Sequence, residues 1–178
     1  MRNRVVMDEK GIERAIARIA HEIIERNRGT DGIVLLGIPT RGRHLAMRLK
    51  AKLDEIEGTD VPAGAVDATL YRDDIGIKKD QPMLKKMDIP ISIDNKTVIM
   101  VDDVLFTGRT TRAAMNALMD FGRPHSIQLA VLVDRGHREL PIKADYVGKN
   151  IPTTVKEGVR VRLKELDGAS EVTVEGAV

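Results

Sequence analysis

Apolar residues follow two patterns along the chain, and the first is a set of continuous runs. Residues 33–38, 97–102 and 126–134 are mostly apolar from end to end. Runs of this length are typical of parallel strands that are covered on both faces, because neither face then needs polar side chains. These three segments are therefore predicted to form the centre of a buried sheet.

The second pattern is a spacing of three or four residues between apolar side chains, which predicts helices. One helix is predicted to begin near Glu9, with Asp8 as its N-terminal cap, and another spans about 109–121. The first two predicted helices carry the apolar stripes Ile12, Ile16, Ile19 and Ile23, and then Leu45, Leu49, Leu53 and Ile56. Strands alternating with helices predict an α/β fold with a parallel sheet.

Weaker patterns complete the prediction. Residues 65–71 alternate between apolar and polar positions and are predicted to form a strand, and 144–147 a further one. Segments 159–163 and 171–174 also alternate and flank an Asp-Gly pair, which favours a terminal hairpin. Residues 72–92 are polar and lysine-rich, so a long loop is expected there. With no repeat or linker visible, residues 1–178 are predicted to form one domain.

Composition restricts the classes of function. The chain has no cysteine, which excludes disulfides and thiolate metal sites, and no apolar run long enough to cross a bilayer. Its first residues lack the apolar core of a signal peptide, so we expect a cytoplasmic protein without a membrane partner. With two tyrosines, two phenylalanines and no tryptophan, recognition of single-stranded nucleic acid by base stacking is not expected.

The most informative stretch is VIMVDDVLFTGRTT, residues 98–111, where a buried strand runs into two acids and a glycine-containing turn. Asp102 and Asp103 can accept hydrogen bonds from vicinal hydroxyls or hold a divalent metal with waters. Gly108 lets the backbone approach a ligand, and the N-terminus of the next helix suits a phosphate. The alternative, that the acids only cap the helix, explains either acid alone but not the whole pattern. A sugar phosphate with a metal ion fits all of these groups.

This stretch also carries a family resemblance. VIMVDDVLFTGRT, residues 98–110, resembles without a gap the phosphoribosyl pyrophosphate (PRPP) motif of the type I phosphoribosyltransferases. The resemblance implies a central, mostly parallel sheet flanked by helices, a small hood, and a flexible lid at about 71–92. It also implies Mg²⁺ at Asp102 and Asp103, held directly or through water, and transfer of ribose 5-phosphate from PRPP to a nitrogenous base. Its PRPP and nucleotide residues are Asp102, Asp103, Val104, Leu105, Phe106, Thr107, Gly108, Arg109 and Thr110.

A second loop resembles the family's pyrophosphate loop. It is GIPTRG, residues 37–42, which follows the first buried strand and contains Pro39, Thr40, Arg41 and Gly42. Backbone N–H groups near Thr40 and the guanidinium of Arg41 suit a pyrophosphate, so both residues join the nucleotide-binding candidates. The plainer alternative for Arg41 is an ordinary surface arginine.

A third segment, residues 71–88, resembles the lid. Its candidate is Arg72, which is grouped with Asp102 and Asp103 as catalytic because it would contact the leaving pyrophosphate. Closure of such a lid would exclude water from the reaction. The four lysines of the segment are better explained as solvated loop charges: Lys78, Lys79, Lys85 and Lys86.

One departure from the family bears on the substrate. In the 6-oxopurine members an acid precedes the Thr-Gly pair and serves as base toward the purine, whereas this sequence has Phe106 there. Hypoxanthine and guanine are therefore not expected as substrates. The loop Asp134-Arg135-Gly136 is the candidate contact for the nucleobase, since Gly136 permits close backbone approach.

A longer segment, DRGHRELPIKADYVGKNIPT (134–153), resembles a signature of the pyrimidine operon attenuation regulators, and the resemblance covers essentially the whole chain. Those proteins are also uracil phosphoribosyltransferases, which convert uracil and PRPP to UMP and pyrophosphate. They bind a stem-loop of the pyrimidine operon leader messenger RNA, and UMP or UTP at the active site promotes RNA binding and transcription termination. The resemblance adds Arg135 and Val159 to the nucleotide site, although a core valine explains Val159 better. It assigns RNA contacts to Arg18, His21, Arg26, His137, Arg138, Lys143 and Lys149.

The charge pattern supports RNA binding only in part. Arg14, Arg18, His21 and Arg28 share the helix face opposite the isoleucine stripe, which suits RNA phosphates and 2′-hydroxyls. A solvated helix face is the commoner explanation of such a pattern, and the net charge is only +2. A homodimer would join two such faces, and a tetramer stays open. The alternative to this whole assignment is a purine-type phosphoribosyltransferase that binds no RNA.

Overall fold

The computed structural model describes residues 3–71 and 88–176, with only the backbone of Leu70. Most of the predicted lid, including Arg72 and the four lysines named with it, lies outside the described residues. Within the described ranges, no helix combines the length and apolar character that crossing a bilayer requires.

Strands and helices alternate along most of the chain. In order they are β1 (Arg4–Met7), α1 (Glu9–Asn27), β2 (Ile33–Gly37), α2 (Arg41–Glu57), β3 (Ala63–Ala65), a 3-10 turn (Thr69–Tyr71), β4 (Thr97–Leu105), α3 (Arg109–Met119), β5 (Ser126–Asp134), β6 (Tyr146–Asn150), β7 (Gly158–Arg162), α4 (Lys164–Asp167) and β8 (Glu171–Glu175).

Five of the strands form a parallel sheet in the order β3-β2-β4-β5-β6. The central strand, β4, pairs with β2 up to Val101 opposite Gly37, and with β5 up to Leu105 opposite Asp134. Because all five strands run the same way, the carboxyl ends of β2, β4 and β5 meet at one edge. Ligands of open parallel sheets bind at that edge, so the predicted loops converge there.

Apolar layers cover both faces of this sheet and confirm the predicted α/β architecture. Helices α1 and α2 pack on one face against Leu35 and Ile99, and α3 packs on the other against Val34 and Met100. Neighbouring strand residues thus enter different layers, which explains why the strands read as continuous apolar runs. The predicted cap of α1 is also confirmed, since the Asp8 carboxylate accepts the Gly11 N–H at 2.7 Å.

A second, antiparallel sheet has the strand order β1-β8-β7. Together with α4 it forms the hood. The predicted terminal hairpin is confirmed as the β7–β8 pair, with α4 inserted between its strands. Strand β1 was not predicted, because its four residues carry no clear alternation and its partner β8 lies at the other end of the chain.

The predicted strand over 65–71 is wrong. Strand β3 ends at Ala65, and residues 69–71 form a 3-10 turn. Asp67 explains the difference, because its carboxylate accepts both the backbone N–H (2.9 Å) and the hydroxyl (2.6 Å) of Thr69. Such local side-chain bonds favour a turn over a strand.

Several boundaries also differ from the predictions. Strand β4 runs through both acids to Leu105, whereas the sequence placed its end at residue 102. Helix α3 ends at Met119, two residues before the predicted Phe121, and the strand predicted at 144–147 forms as Tyr146–Asn150. The first of these shifts matters for the site, because it fixes the acid pair on a strand.

Candidate active site and basic face

The two adjacent acids lie within β4, near its carboxyl end. Asp102 is buried, with 8% of its surface exposed, and pairs through its backbone with Val131 of β5; Asp103 is half-buried. One oxygen of each carboxylate accepts the N–H of the next residue, at 2.9 Å from Asp103 to Asp102 and 2.8 Å from Val104 to Asp103. These bonds orient both carboxylates on a strand that is packed on its two sides.

The turn that follows β4 borders a cavity of about 290 Å³. The structure brings most of the predicted PRPP residues together around it. The lining consists of Asp102, Val104, Leu105, Phe106, Thr107, Gly108, Arg109, Thr110, Thr111 and Glu139. Gly108 precedes α3 with a φ of 91°, and the Thr107 hydroxyl accepts the N–H of Arg109 at 3.3 Å. The cavity therefore meets the N-terminus of α3, which favours an anion.

A neighbouring segment closes over this turn. The Thr107 carbonyl accepts the N–H of Glu139 at 3.0 Å and that of Leu140 at 3.3 Å. The Glu139 carboxylate in turn accepts a hydrogen bond from Arg109 Nε at 2.6 Å. Glycine suits position 108 because its φ of 91° strains other residues, and a Cβ there would also lie a tight 3.3 Å from the Ile142 side chain.

The loop between β2 and α2 is held against β4 by two glycines. A Cβ on Gly37 would lie 2.4 Å from Arg43 Cα, and a Cβ on Gly42 would lie 2.3 Å from the Val101 carbonyl oxygen. No side chain fits at those distances, so Gly37 lets the first turn of α2 pack on the end of β2, and Gly42 brings that turn close to the acid-bearing strand. The peptide bond between Pro39 and Thr40, at the centre of the loop, is cis.

Arg41 begins α2 and reaches the hood. Its NH2 group donates to both oxygens of the Asp167 carboxylate, at 3.0 and 3.2 Å. Its Nε is buried and has no hydrogen-bond partner among the described residues. The Thr40 side chain makes no capping bond to α2. The predicted pyrophosphate loop is thus tied to α4 by a contact that the sequence did not reveal.

The candidate nucleobase loop is organised by Arg135. This side chain donates to the Thr153 hydroxyl (3.2 Å), the Thr154 carbonyl (3.1 Å) and the Glu157 carbonyl (2.6 Å). Its guanidinium lies 4.0 Å from the centre of the Phe106 ring, a cation–π distance. Burial lowers the pKa of Arg135 from its ordinary value. Arg135 therefore joins the turn of the PRPP motif to the segment that leads into the hood.

Arg138 and His137 lie on the same loop. Arg138 donates to the carboxylate of Asp134 and to three backbone carbonyls, those of Phe106 (3.0 Å), Gly136 (3.3 Å) and Ile142 (2.9 Å). The His137 ring contacts the Thr153 carbonyl through Nε2 at 2.7 Å and lies edge-on to Phe106. Both side chains thus contribute to the shape of the loop, and their contact with RNA stays a prediction.

The other RNA candidates lie where α1 packs beside β6. We call this surface the basic face and define it by Arg18, His21, Arg26 and Lys149. Arg18 donates to the Val147 (3.2 Å) and Gly148 (2.5 Å) carbonyls and to Glu22 at 3.0 Å, and Lys149 donates to the Val6 carbonyl at 2.7 Å. An open groove of about 630 Å³ runs along α1, β1 and β6, lined by Arg14, Arg18 and Lys149 among others.

Arg26 differs from its neighbours on the basic face. It forms an ion pair with Asp145 at 2.6 Å and lies 5.7 Å from the Tyr146 ring centre. The hydrogen bond that Arg26 donates to the Asp145 carboxylate raises the pKa of Arg26. His21 is exposed on α1, and Lys143 is exposed in the connection between β5 and β6. Val159 lies in β7, partly buried against the larger core, which agrees with the plainer interpretation given above.

Sequence reasoning missed two acids of the site, Glu139 and Asp167. Glu139 lies inside a segment that was singled out, and its ion pair with Arg109 would have required the turn geometry to foresee. Asp167 lies 126 residues from Arg41, and no local pattern signals their contact. Both acids lower the net positive charge around the loops that are predicted to bind phosphates.

The donor set at the end of β4 fits Mg²⁺. Hard cations take oxygen ligands, and Mg²⁺ usually keeps several waters while one or two carboxylates and substrate phosphates complete its shell. Asp102 supplies a carboxylate that lines the cavity, and Asp103 supplies a second one at the next position of β4. Among residues 3–71 and 88–176 no group of three or more acidic, histidine or cysteine side chains forms a preassembled metal cage.

Comparison with known proteins places these features in context. Residues 6–166 match the family described as phosphoribosyl transferase domain. The chain is 62% identical over 165 residues to the bifunctional protein PyrR of Bacillus pumilus, covering 92% of each chain. It is 56% identical over 175 residues to the protein of the same name from Halalkalibacterium halodurans, covering 97% of each.

Solved structures share the fold at lower identity. A hypoxanthine phosphoribosyltransferase from Trypanosoma cruzi superposes with a TM-score of 0.75, at 21% identity, over 97% of this chain and 94% of that one. At this identity the likeness concerns the fold alone. It confirms the predicted central sheet with flanking helices and a hood.

Proposed function

Because the chain belongs to the phosphoribosyl transferase family and, within it, to the PyrR proteins, we propose two activities for it. Both activities use one nucleotide pocket. The first is transfer of ribose 5-phosphate from PRPP to uracil, which yields UMP and pyrophosphate. The second is uridine-nucleotide-dependent binding of the pyrimidine operon leader RNA, which promotes transcription termination. The purine alternative lacks support, because the relatives at 56% and 62% identity are bifunctional PyrR proteins.

The observation that carries the proposal is the acid pair on β4 together with the cavity at the start of α3. Asp102 lines this cavity and Asp103 follows it on β4, and the turn over 106–111 surrounds about 290 Å³ next to the helix N-terminus. A ribose 5-phosphate satisfies both ends of this site. Its 5′-phosphate accepts the turn N–H groups, and its 2′- and 3′-hydroxyls donate to the carboxylates.

The reaction forms a bond between the uracil nitrogen N1 and the anomeric carbon, and breaks the bond from that carbon to the pyrophosphate oxygen. The proton on N1 of uracil is released to solvent water. Positive charge develops on the ribose and negative charge on pyrophosphate, so Asp102 and Asp103 stabilise the sugar side electrostatically. The same two residues would hold Mg²⁺, which when bound neutralises the leaving group. Arg41, and Arg72 of the lid, are the proposed cationic contacts for pyrophosphate.

Uracil is proposed to bind between Phe106 and the loop over 134–136. Gly136 has a φ of 77°, and its N–H donates to Asp134 at 2.9 Å, so the loop backbone is fixed in a shape that glycine favours. Phe106 offers an apolar surface where the purine enzymes use an acid, and Arg135 stiffens that surface from behind. Val159 is the remaining proposed nucleotide contact.

RNA binding is proposed for the basic face together with His137, Arg138 and Lys143. Arg18 and Lys149 donate to neutral backbone carbonyls, which fix both cations in place, and Arg18 also donates to the partly exposed Glu22 carboxylate. Fixed cations suit the regular phosphates of a folded RNA stem. His137 and Arg138 share a loop with Arg135, so a nucleotide that reorders this loop also changes the RNA surface.

Assembly and location follow the same premise. We propose a cytoplasmic homodimer, in which two basic faces combine, with a tetramer as the alternative. The single domain over 1–178 also stays a proposal.

Two measurements on the full chain test the function. UMP formation from uracil and PRPP with Mg²⁺ should exceed product formation from hypoxanthine or guanine. Filter binding of pyrimidine leader RNA should strengthen when UMP is added. Purine turnover above uracil turnover would refute the first activity, and RNA affinity that ignores UMP would refute the second.

A further inference from the structure

Helix α2 places two arginines against acids of the short hood helix α4. Arg48 pairs with Glu165 through two parallel bonds, Nε to Oε1 at 2.8 Å and NH2 to Oε2 at 2.6 Å. Its NH2 also donates to the Ser170 hydroxyl at 3.1 Å. The Glu165 carboxylate thus accepts from the Arg48 guanidinium in the bidentate geometry that arginine favours.

Arg41 pairs with Asp167 in a different way. Both carboxylate oxygens accept from the single NH2 atom, and Nε is left buried without a partner among the described residues. An unsatisfied buried donor costs roughly 1–3 kcal/mol. A contact that served only to attach the hood would be expected to use Nε as the Arg48 pair does. Asp167 thus engages only NH2, and the Arg41 side chain keeps 30% of its surface exposed, so the guanidinium can take another acceptor.

The position of Arg41 identifies that acceptor as an anion. Arg41 begins α2, whose N-terminus has no side-chain cap, and the adjacent Gly42 packs on the backbone of the acid-bearing strand β4. An anion at this loop would meet the exposed part of the Arg41 side chain, which keeps 30% of its surface accessible, and the helix N-terminus together. Asp167 occupies only NH2, so the ligand and Asp167 can bind the guanidinium at the same time.

From this geometry we infer that Asp167 is a positioning residue for pyrophosphate, acting from the hood through Arg41. The inference rests on the proposed function, because it assigns pyrophosphate to the Arg41 loop. Asp167 is itself anchored, since it accepts the Leu163 N–H at 2.9 Å. That backbone bond, and then Arg41, lowers the pKa of Asp167, so the carboxylate stays ionised at neutral pH.

The test is calorimetric titration of the full chain with inorganic pyrophosphate and Mg²⁺. Asp167→Asn should weaken pyrophosphate binding about fivefold to tenfold, and should raise the KM for PRPP while leaving kcat nearly unchanged. Asp167→Glu should recover part of the affinity. Glu165→Gln is the matched control, because it breaks the other α2–α4 ion pair and should leave pyrophosphate affinity unchanged.

Three outcomes would overturn the inference: unchanged affinity in Asp167→Asn, tighter binding in that variant, or equal losses in Asp167→Asn and Glu165→Gln. If Asp167→Asn does not fold, a double-mutant cycle replaces it. This cycle compares Asp167→Glu, Arg41→Gln and the double variant. If Asp167 acts through Arg41, its change has no further effect on pyrophosphate affinity once Arg41 is replaced; additive losses would contradict it. A wild-type chain that forms no UMP would refute the proposed function, whereas normal UMP formation with any of these outcomes refutes the Asp167 role alone.

Discussion

The cavity at the end of β4 and the basic face beside α1 both contain charged residues, but they are assembled from the chain in different ways. The cavity is built almost entirely from one continuous segment, 102–111, joined by Glu139. The basic face draws its cations from α1 and from β6, which are far apart in the chain. In the cavity, the backbone turn defines the site. On the face, long side chains define it, and each is fixed by whatever acceptor lies nearby.

The type of acceptor separates the cations of the basic face from one another. Lys149 donates to a backbone carbonyl, which carries no net charge, and Arg18 donates to two such carbonyls and to the Glu22 carboxylate. Arg26 donates to the carboxylate of Asp145. Exposure alone would have ranked Arg26 and Arg18 as equals, since their side chains are 50% and 49% exposed. The carboxylates differ, because Glu22 is 39% exposed and Asp145 only 25%, so water screens Glu22 more and Asp145 offsets the charge of its arginine more fully. Arg26 is therefore expected to contribute less to RNA binding than Arg18.

The largest expected effect separates the two regions completely. Replacing both acids, Asp102→Asn with Asp103→Asn, should lower UMP formation by about a thousandfold, because the ribose and metal contacts are lost. RNA affinity without nucleotide should change little. The exposed Asp31→Asn serves as control and should retain activity. Equal loss of both functions, with unchanged circular dichroism, would contradict a division between cavity and face.

Next in size is a change at Arg135, which packs against the cavity residue Phe106. Arg135→Lys keeps the charge but loses the planar fork that reaches Thr153, Thr154 and Glu157. The KM for uracil should rise about thirtyfold, which corresponds to about 2 kcal/mol. Steady-state kinetics with uracil varied at saturating PRPP would measure this. A larger change in the KM for PRPP than in that for uracil would place Arg135 elsewhere in the site.

A smaller effect is expected on the basic face. Arg18→Ala should weaken leader RNA binding about tenfold and flatten its dependence on salt, because one phosphate contact is removed. UMP formation should be unchanged. Lys52→Ala on α2 is the control, since its charge is offset by Glu55. Filter binding at several salt concentrations decides the matter, and an unchanged salt slope would argue against a phosphate contact.

The smallest expected effect tests the ranking within the face. Arg26→Ala should weaken RNA binding only about twofold to threefold, because the Asp145 carboxylate already offsets that charge. The companion change Asp145→Asn should strengthen RNA binding by a similar factor, as it uncovers the Arg26 charge. A loss in Arg26→Ala that matches the loss in Arg18→Ala would break the argument from partners.

The parts of the molecule that sequence could predict are those with local signals. The isoleucine stripe of α1, its Asp8 cap, and the buried runs of β2 and β5 follow directly from residue spacing. The strand predicted over 65–71 failed because the Asp67 side chain stabilises a turn that apolar alternation does not show. The Arg41–Asp167 pair and strand β1 depend on contacts between distant segments, which no window of sequence contains.

The pairing of β1 with β8 bears on how the protein matures. Val5 lies opposite Thr173, so the hood sheet joins residues from both ends of the described chain. All strands of the parallel sheet precede residue 151, so that sheet can form while later residues are still being added by the ribosome. The distant pairing carries the greater loop-closure entropy and should form afterwards. We therefore expect a nascent chain to hold its acid pair in place before Asp167 arrives to meet Arg41.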